Sequence, residues 1–288
     1  MKLGLYSING NVCALDPAAA IRIAQTAERT GWESVWTAEH YLLPDPRTPE
    51  SPIPGHVPLL DPFVALANVA AHTETLLLAT GVTVVPLHEP VTLAKRVMSL
   101  DRVSGGRFLF GVGAGYLAPE FAAAGVPLAD RGRRMDEYLA AMSAIWTETT
   151  PVVDGTYVSF SGLRSEPRPI QQPGPPLHLG GRADPALRRA VATGTGWFGY
   201  NVGVEETAAI VSRLKAIEAE SGRPAALGKL EITVAPSHDL AVDQRLVEAL
   251  AELGVDRLIV VPPRDVLRDA ELLVRFVAER PAALGVTA

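Results

Sequence analysis

One cysteine in 288 residues removes two possibilities at once. Cys13 has no intrachain partner for a disulfide, and cysteine-built zinc sites need several thiolates. It reads as a small buried hydrophobe. Lysine is almost as scarce, with four among 26 basic residues, and only 20% of the chain is charged, with a net charge of −6. That balance argues against nucleic acid or an anionic membrane as partner. The longest uncharged apolar segment, TLLLATGVTVVPL, falls short of the ~20 residues a spanning helix needs. No leader-like run follows Lys2, so the expected home is a reducing cytoplasm. The histidines (40, 56, 72, 88, 178 and 238) are scattered with no HExxH pair, and no metal site is expected. A GxSxG elbow is missing. The nearest approach to a phosphate-binding P-loop, GRPAALGK at 222–229, has the wrong spacing and no following Ser or Thr.

What the chain does have is a repeated unit. An Asp-Pro pair opens an amphipathic run, a glycine closes it, and a short β-rich run follows. Asp16-Pro17 opens AAAIRIAQTAERT before Gly31; Asp61-Pro62 opens FVALANVAAH; Asp184-Pro185 opens ALRRAVAT before Gly194; LVEALAEL closes at Gly254. Aspartate caps free amides at a helix start, proline suits the first turn, and glycine takes the left-handed conformation past the end. Apolar strands are expected at 3–7, 34–38, 76–82, 107–113, 176–180, 196–200, 231–235 and 257–261. Continuously apolar strands alternating with helices imply a parallel sheet covered on both faces. Eight such units predict an α/β chain folded as a single (β/α)8 TIM barrel over 1–288, in preference to an open doubly wound sheet. The segment 151–176, between strands 4 and 5, breaks the pattern with its prolines and glycines. It reads as an insertion serving as a lid or binding loop, or else as a surface excursion.

Barrel enzymes work at the carboxyl ends of their strands, so the residues there are the candidates. They are Ser7 and Asn9; Glu39 and His40; Thr80, Gly81 and Val82, with His88 further on; Gly113, Ala114, Gly115 and Tyr116; Gly180, Gly181 and Arg182; Tyr200 and Asn201; Ser237 and His238; and Arg264. In RFLFGVGAGY (107–116) the spacing of Gly111, Gly113 and Gly115 excludes the dinucleotide-binding fingerprint. These glycines either leave room for a flat ligand against the backbone or admit a close-packed neighbour. In LHLGGRADPALRR two glycines precede a helix start, which suits an anion, with Arg182 adding charge. Glu39-His40 is the best acid–base pair, although neighbours on a strand point to opposite faces. Trp36, Tyr41, Tyr116 and Trp197 are either pocket-lining aromatics or core.

GWESVWTAEHYLLP, LLLATGVTVVPLHEPVTLAKRVMSLDRVSGGRFLFGVGAGY, RRMDEYLAAMSAIW and PPLHLGGRADPALRRAVATGTGWF together resemble the bacterial luciferase-like family, and its coenzyme F420-dependent oxidoreductases in particular. The resemblance covers nearly the whole chain. It implies a barrel holding a deazaflavin or flavin ring across its mouth, backed by a strand-three bulge with a cis peptide at Gly81–Val82. It places the cofactor on Thr80, Gly81, Val82, Gly113, Ala114 and Gly115, with the phosphate at Gly180, Gly181 and Arg182. His40 would handle a proton with Glu39 behind it, and Tyr116, Tyr41 and Trp197 would line the substrate side. F420 is the expected cofactor, with Arg182 and Arg168 as an exit for its anionic tail; FMN, in a monooxygenase, is the alternative. A non-catalytic relative would have lost the strand-two histidine, which is present here. Homodimers are common in the family. Sugar-phosphate-oxidising members carry a glutamate where this chain has Tyr116, which speaks against that reaction.

Overall fold

The computed structural model describes residues 1–238 and 240–285. Eight parallel strands close into a barrel: β1 (Lys2–Tyr6), β2 (Ser34–Thr37), β3 (Leu77–Thr80), β4 (Phe108–Gly113), β5 (Leu177–Gly180), β6 (Gly196–Val202), β7 (Glu231–Pro236) and β8 (Arg257–Val260). Each pairs with the next, and Lys2 opposite Arg257 closes the ring. The principal helices are α1 (Pro17–Arg29), α2 (Pro62–Ala70), α3 (Pro90–Val103), α4 (Arg131–Thr147), α5 (Asp184–Thr193), α6 (Val204–Ser221), α7 (Gln244–Glu252) and α8 (Ala270–Ala283). All eight expected strands are present. The helix signals worked at Asp16, which accepts from the amides of Ala18 and Ala19, and at Asp61, which accepts from that of Val64. They failed at Asp184. That residue lies inside α5, and its carboxylate is taken by Arg188 and Arg213. Gly194 ends α5 at φ −84°, without the left-handed turn expected of it.

Side chains alternate between two cores. Leu3, Leu5, Val35, Leu78, Phe108, Phe110, Leu179, Trp197, Val234 and Leu258 face the helices. Tyr6, Trp36, Ala79, Leu109, Phe198, Ala235 and Ile259 fill the barrel, with Trp36 and Phe198 stacked at 5.1 Å. Below them, at the amino ends of the strands, lies a charged cluster. Arg257, 1% exposed, reaches Glu33 at 2.5 and 2.7 Å and Glu231 at 3.0 Å. His178 Nε2 lies 3.3 Å from Glu231. Burial pushes the His178 ring down, and it stays neutral as a hydrogen-bond donor. Burial also opposes ionisation of Glu231, but the His178 hydrogen bond and the Arg257 charge outweigh it and hold the carboxyl well below its ordinary range.

The segment 151–176 is not a lid. It leaves the lower end of α4 and enters β5 from below, so it belongs to the face opposite the mouth. A hairpin (Val153–Asp154 with Ser159–Phe160) lies on α4, where Glu137 accepts the amides of Thr156, Tyr157 and Val158. The return strand is tied to α3 through Asp101, which accepts the amides of Ile170 and Gln171. Arg168 donates to the carbonyls of Trp146 and Glu148 at the foot of α4, too far round to serve a ligand at the mouth. The long excursion at the mouth is instead 38–61, between β2 and α2.

Two outcomes are expected. Glu231→Gln should flatten the acid limb of stability. The depressed carboxyl contributes stability above about pH 4.3 and loses it as the pH falls further, so urea midpoints of wild type and variant should converge on acidification. A Cβ at Gly111 would stand 1.7 Å from the Thr80 carbonyl oxygen. Gly111→Ala should therefore cost more than about 3 kcal/mol, read as a fallen Tm by circular dichroism.

Candidate active site

The mouth is organised by a bulge in strand three. After Thr80 the chain turns through Gly81–Val82, a cis peptide as the resemblance implied, and Thr83–Val84 then pairs with Val112–Gly113 of β4. Gly111 admits the Thr80 carbonyl, Gly113 admits Val82, and Gly115 lies against Val84 and Phe121. The glycines of β4 therefore seat the neighbouring strand and form no open ledge of their own. Thr80 is fully buried and donates to the Gly111 carbonyl at 2.7 Å, so its side chain offers nothing to a ligand. From inside the barrel, the Tyr6 hydroxyl donates to the Gly81 carbonyl at 2.8 Å. Burial raises the Tyr6 hydroxyl well above its ordinary value, and it remains a proton donor. Tyr200 packs on Tyr6 at 5.2 Å; burial, then the neighbouring Tyr116, push its hydroxyl up to about 12.

Glu39 and His40 do not act as a pair. The inward series of β2 runs Ser34, Trp36, Ala38, His40, and Glu39 points outward between strand and helices. Its carboxylate, 1% exposed, accepts the Val84 amide at 2.5 Å and lies 3.1 Å from His88 Nε2. Glu39 thus pins the far end of the bulge. The Tyr41 hydroxyl bonds Glu39 at 3.2 Å and approaches His88 at 3.2 Å, and burial, then the Glu39 charge, raise it.

The carboxylate beside His40 is Glu120, which the sequence reading missed. It sits on the short helix Ala118–Ala123 beyond Tyr116. Its Oε2 lies 3.1 Å from His40 Nδ1, and its Oε1 accepts the Tyr41 amide at 2.7 Å. Tyr116 places its ring edge-on to His40 at 6.2 Å and is half exposed. A second unforeseen brace is Asn9, fully buried, which bonds both polar groups of Ala38 and the Leu60 carbonyl, tying the base of 38–61 to β1.

Gly180 and Gly181 lie where expected, ahead of α5. Gly181 has φ 115°, and α5 has no side-chain cap. Pro185 has no N–H and Ala186 donates to the Ala183 carbonyl at 2.8 Å, so the amides left to meet an anion are those of the turn 181–184 rather than of the helix proper. Arg182 adds no free charge: it pairs with Glu206 at 2.9 Å and donates to the carbonyls of Tyr200 and Asn201. Trp197 is fully buried among the outer core and donates to the Gly181 carbonyl, and Trp36 is buried inside the barrel; neither borders a pocket. A cavity of about 330 Å³ opens beside the mouth between the starts of α2 and α3, lined by Tyr41, Asp61, His88, Glu89 and Arg96 among others. Among the described residues no three His, Cys, Asp or Glu side chains converge as metal ligands, and no helix is long and apolar enough to cross a membrane.

The family model described as luciferase-like monooxygenase matches residues 1–282. An uncharacterised protein of Mycobacterium tuberculosis is 31% identical over 278 residues, covering 93% of this chain and 94% of that one. The oxygenase component of a flavin-dependent trigonelline monooxygenase from Acinetobacter baylyi is 28% identical over 60% of this chain and only 46% of its own length. Among solved structures, the coenzyme F420-dependent tetrahydromethanopterin reductase of Methanopyrus kandleri superposes with a TM-score of 0.76. The superposition covers 98% of this chain and 99% of that one at 15% identity, a likeness of fold. With the site geometry, these relatives make the protein an enzyme of the oxidoreductase or monooxygenase type.

Glu39→Ala should leave the buried Val84 amide and His88 without their partner. We expect a loss of about 3 kcal/mol in urea unfolding; an unchanged midpoint would contradict the clamp.

Proposed function

We propose that this chain, which belongs to the luciferase-like monooxygenase family, is an F420-dependent oxidoreductase that exchanges a hydride with a small organic substrate. The observation that carries this reading is its extent. The chain maps onto 99% of an F420-dependent reductase, against 80% of a monooxygenase from Streptomyces bottropensis and 46% of the trigonelline monooxygenase component.

The residues present fit such a group. Gly181, whose Cβ would meet Ala186 at 2.8 Å, lies in the turn 181–184, whose amides have no hydrogen-bond partner among the described residues and could cradle a phosphate. The bulge at Gly81–Val82 offers backbone with little side chain toward the mouth. Bound there, the deazaflavin supplies a hydride donor or acceptor at C5. The chain's own part is to hold and move a proton. Among the described residues the one hydrogen bond of the His40 ring is at Nδ1, and the side chain keeps 13% of its surface exposed. It exchanges the proton that accompanies the hydride, while Tyr116 and Tyr41 border the substrate. Ala114 and Gly115 lie beside the cofactor in this reading, Gly115 packed on Val84 and Phe121.

The competing reading is an FMN-dependent monooxygenase. It is favoured by Arg182, whose guanidinium is already engaged with Glu206. A single phosphate needs only the amides, while the glutamyl tail of F420 calls for further cations. Within the proposal the enzyme acts on a small molecule, in the cytoplasm and as a homodimer.

Titration with each cofactor, following fluorescence quenching, should give micromolar binding of F420; binding of FMN with none of F420 would overturn the first reading. His40→Ala should lower kcat by about 100-fold or more while cofactor Kd shifts only a few-fold, and equal losses in both would remove the proton-transfer role.

A further inference from the structure

Glu120 belongs to the loop after β4, yet its side-chain hydrogen bonds all go to the loop after β2. Its side chain is 4% exposed, and a carboxylate so deeply placed needs several donors. Oε1 takes the amides of Tyr41 at 2.7 Å and Leu42 at 3.4 Å. Backbone amides only donate, so this position must be held by an acceptor. Oε2 is left for His40 Nδ1 at 3.1 Å. A carboxylate oxygen only accepts, so the contact requires the ring proton on Nδ1. In the neutral ring the lone pair then lies on Nε2, since the one hydrogen bond of the ring among the described residues is at Nδ1.

We propose that Glu120 is the positioning residue of His40: it fixes the Nδ1–H tautomer and so presents Nε2 to the mouth as a base. The two loops that flank the mouth are joined by the same carboxylate, so the group that orients the ring also holds them together. This rests on His40 as the proton-transfer group, but the tautomer belongs to the free protein and is measured without cofactor or substrate.

Glu120→Gln reverses the polarity of the contact. The amides of Tyr41 and Leu42 still demand an oxygen, which turns the new NH2 group toward Nδ1. An NH2 group only donates, so Nδ1 must accept and the ring proton moves to Nε2. Nitrogen-15 NMR of histidine-labelled protein, at a pH where the ring is neutral, reads this directly, with His40 assigned by its absence in His40→Asn. The wild type should show a protonated Nδ1 and a bare Nε2, and Glu120→Gln the reverse, with unchanged far-ultraviolet circular dichroism. In turnover, kcat should fall on the order of 100-fold with KM little moved, since a base is lost and not a binding contact; Glu120→Asp should restore part of it. A wild-type His40 protonated on Nε2 overturns the proposal even if the variant does not fold. An unchanged tautomer in folded Glu120→Gln overturns it as well. A tautomer that flips with no effect on turnover leaves Glu120 as the orienting group and removes His40 from the chemistry.

Discussion

Gly111 has no side chain, and the Thr80 carbonyl occupies the space one would need. The rest of the site follows from that contact. Because Thr80 can sink against β4, strand three bends inward at Gly81–Val82 and rejoins β4 two residues later at Thr83. The bend is held at three points: the Thr80 hydroxyl on Gly111, the Tyr6 hydroxyl on Gly81, and the Glu39 carboxylate on the Val84 amide. Two of these are made within the barrel wall and one from its interior. The backbone that faces the mouth is thereby fixed without relying on surface loops.

Strand parity gives two neighbouring residues separate tasks. Glu39 and His40 are adjacent in sequence but lie on opposite faces of the wall. Glu39 looks outward and joins His88 in holding the bulge, while His40 looks inward and takes its carboxylate from Glu120, 80 residues away. The mouth therefore contains two histidine–carboxylate contacts with different surroundings: one buried in the wall beside the cavity between α2 and α3, the other bonded only at Nδ1. The proposed chemistry uses the second.

The barrel was legible because its grammar repeats: apolar strands, capped helices and closing glycines recur, and errors at Asp184 or Gly194 change no topology. The bulge was legible through resemblance, as Gly81–Val82. Trp197 is instructive, because period two already sets it on the outer face, in phase with Leu179 and Val234, whereas its neighbour Phe198 points inward. The placement of 151–176 was also implied by the alternation, since a segment between a helix and the next strand must lie below the barrel. Composition suggested a lid and connectivity forbade one. Glu120 was beyond reach. Nothing local marks a glutamate in a short helix as the partner of a histidine on a distant strand, and the same holds for the engagement of Arg182 with Glu206. Such pairings are tertiary facts, set by how the loops fold over one another.

The account stands on the bulge and His40 together defining where the cofactor ring rests. A crystal structure of the protein with F420 bound tests this most directly. The ring is predicted to lie between Gly81–Val82 and His40, with its phosphate on the amides of the turn 181–184. A ring lodged instead in the crevice beside Asp61 and Arg96, or a phosphate remote from Gly181, would contradict it.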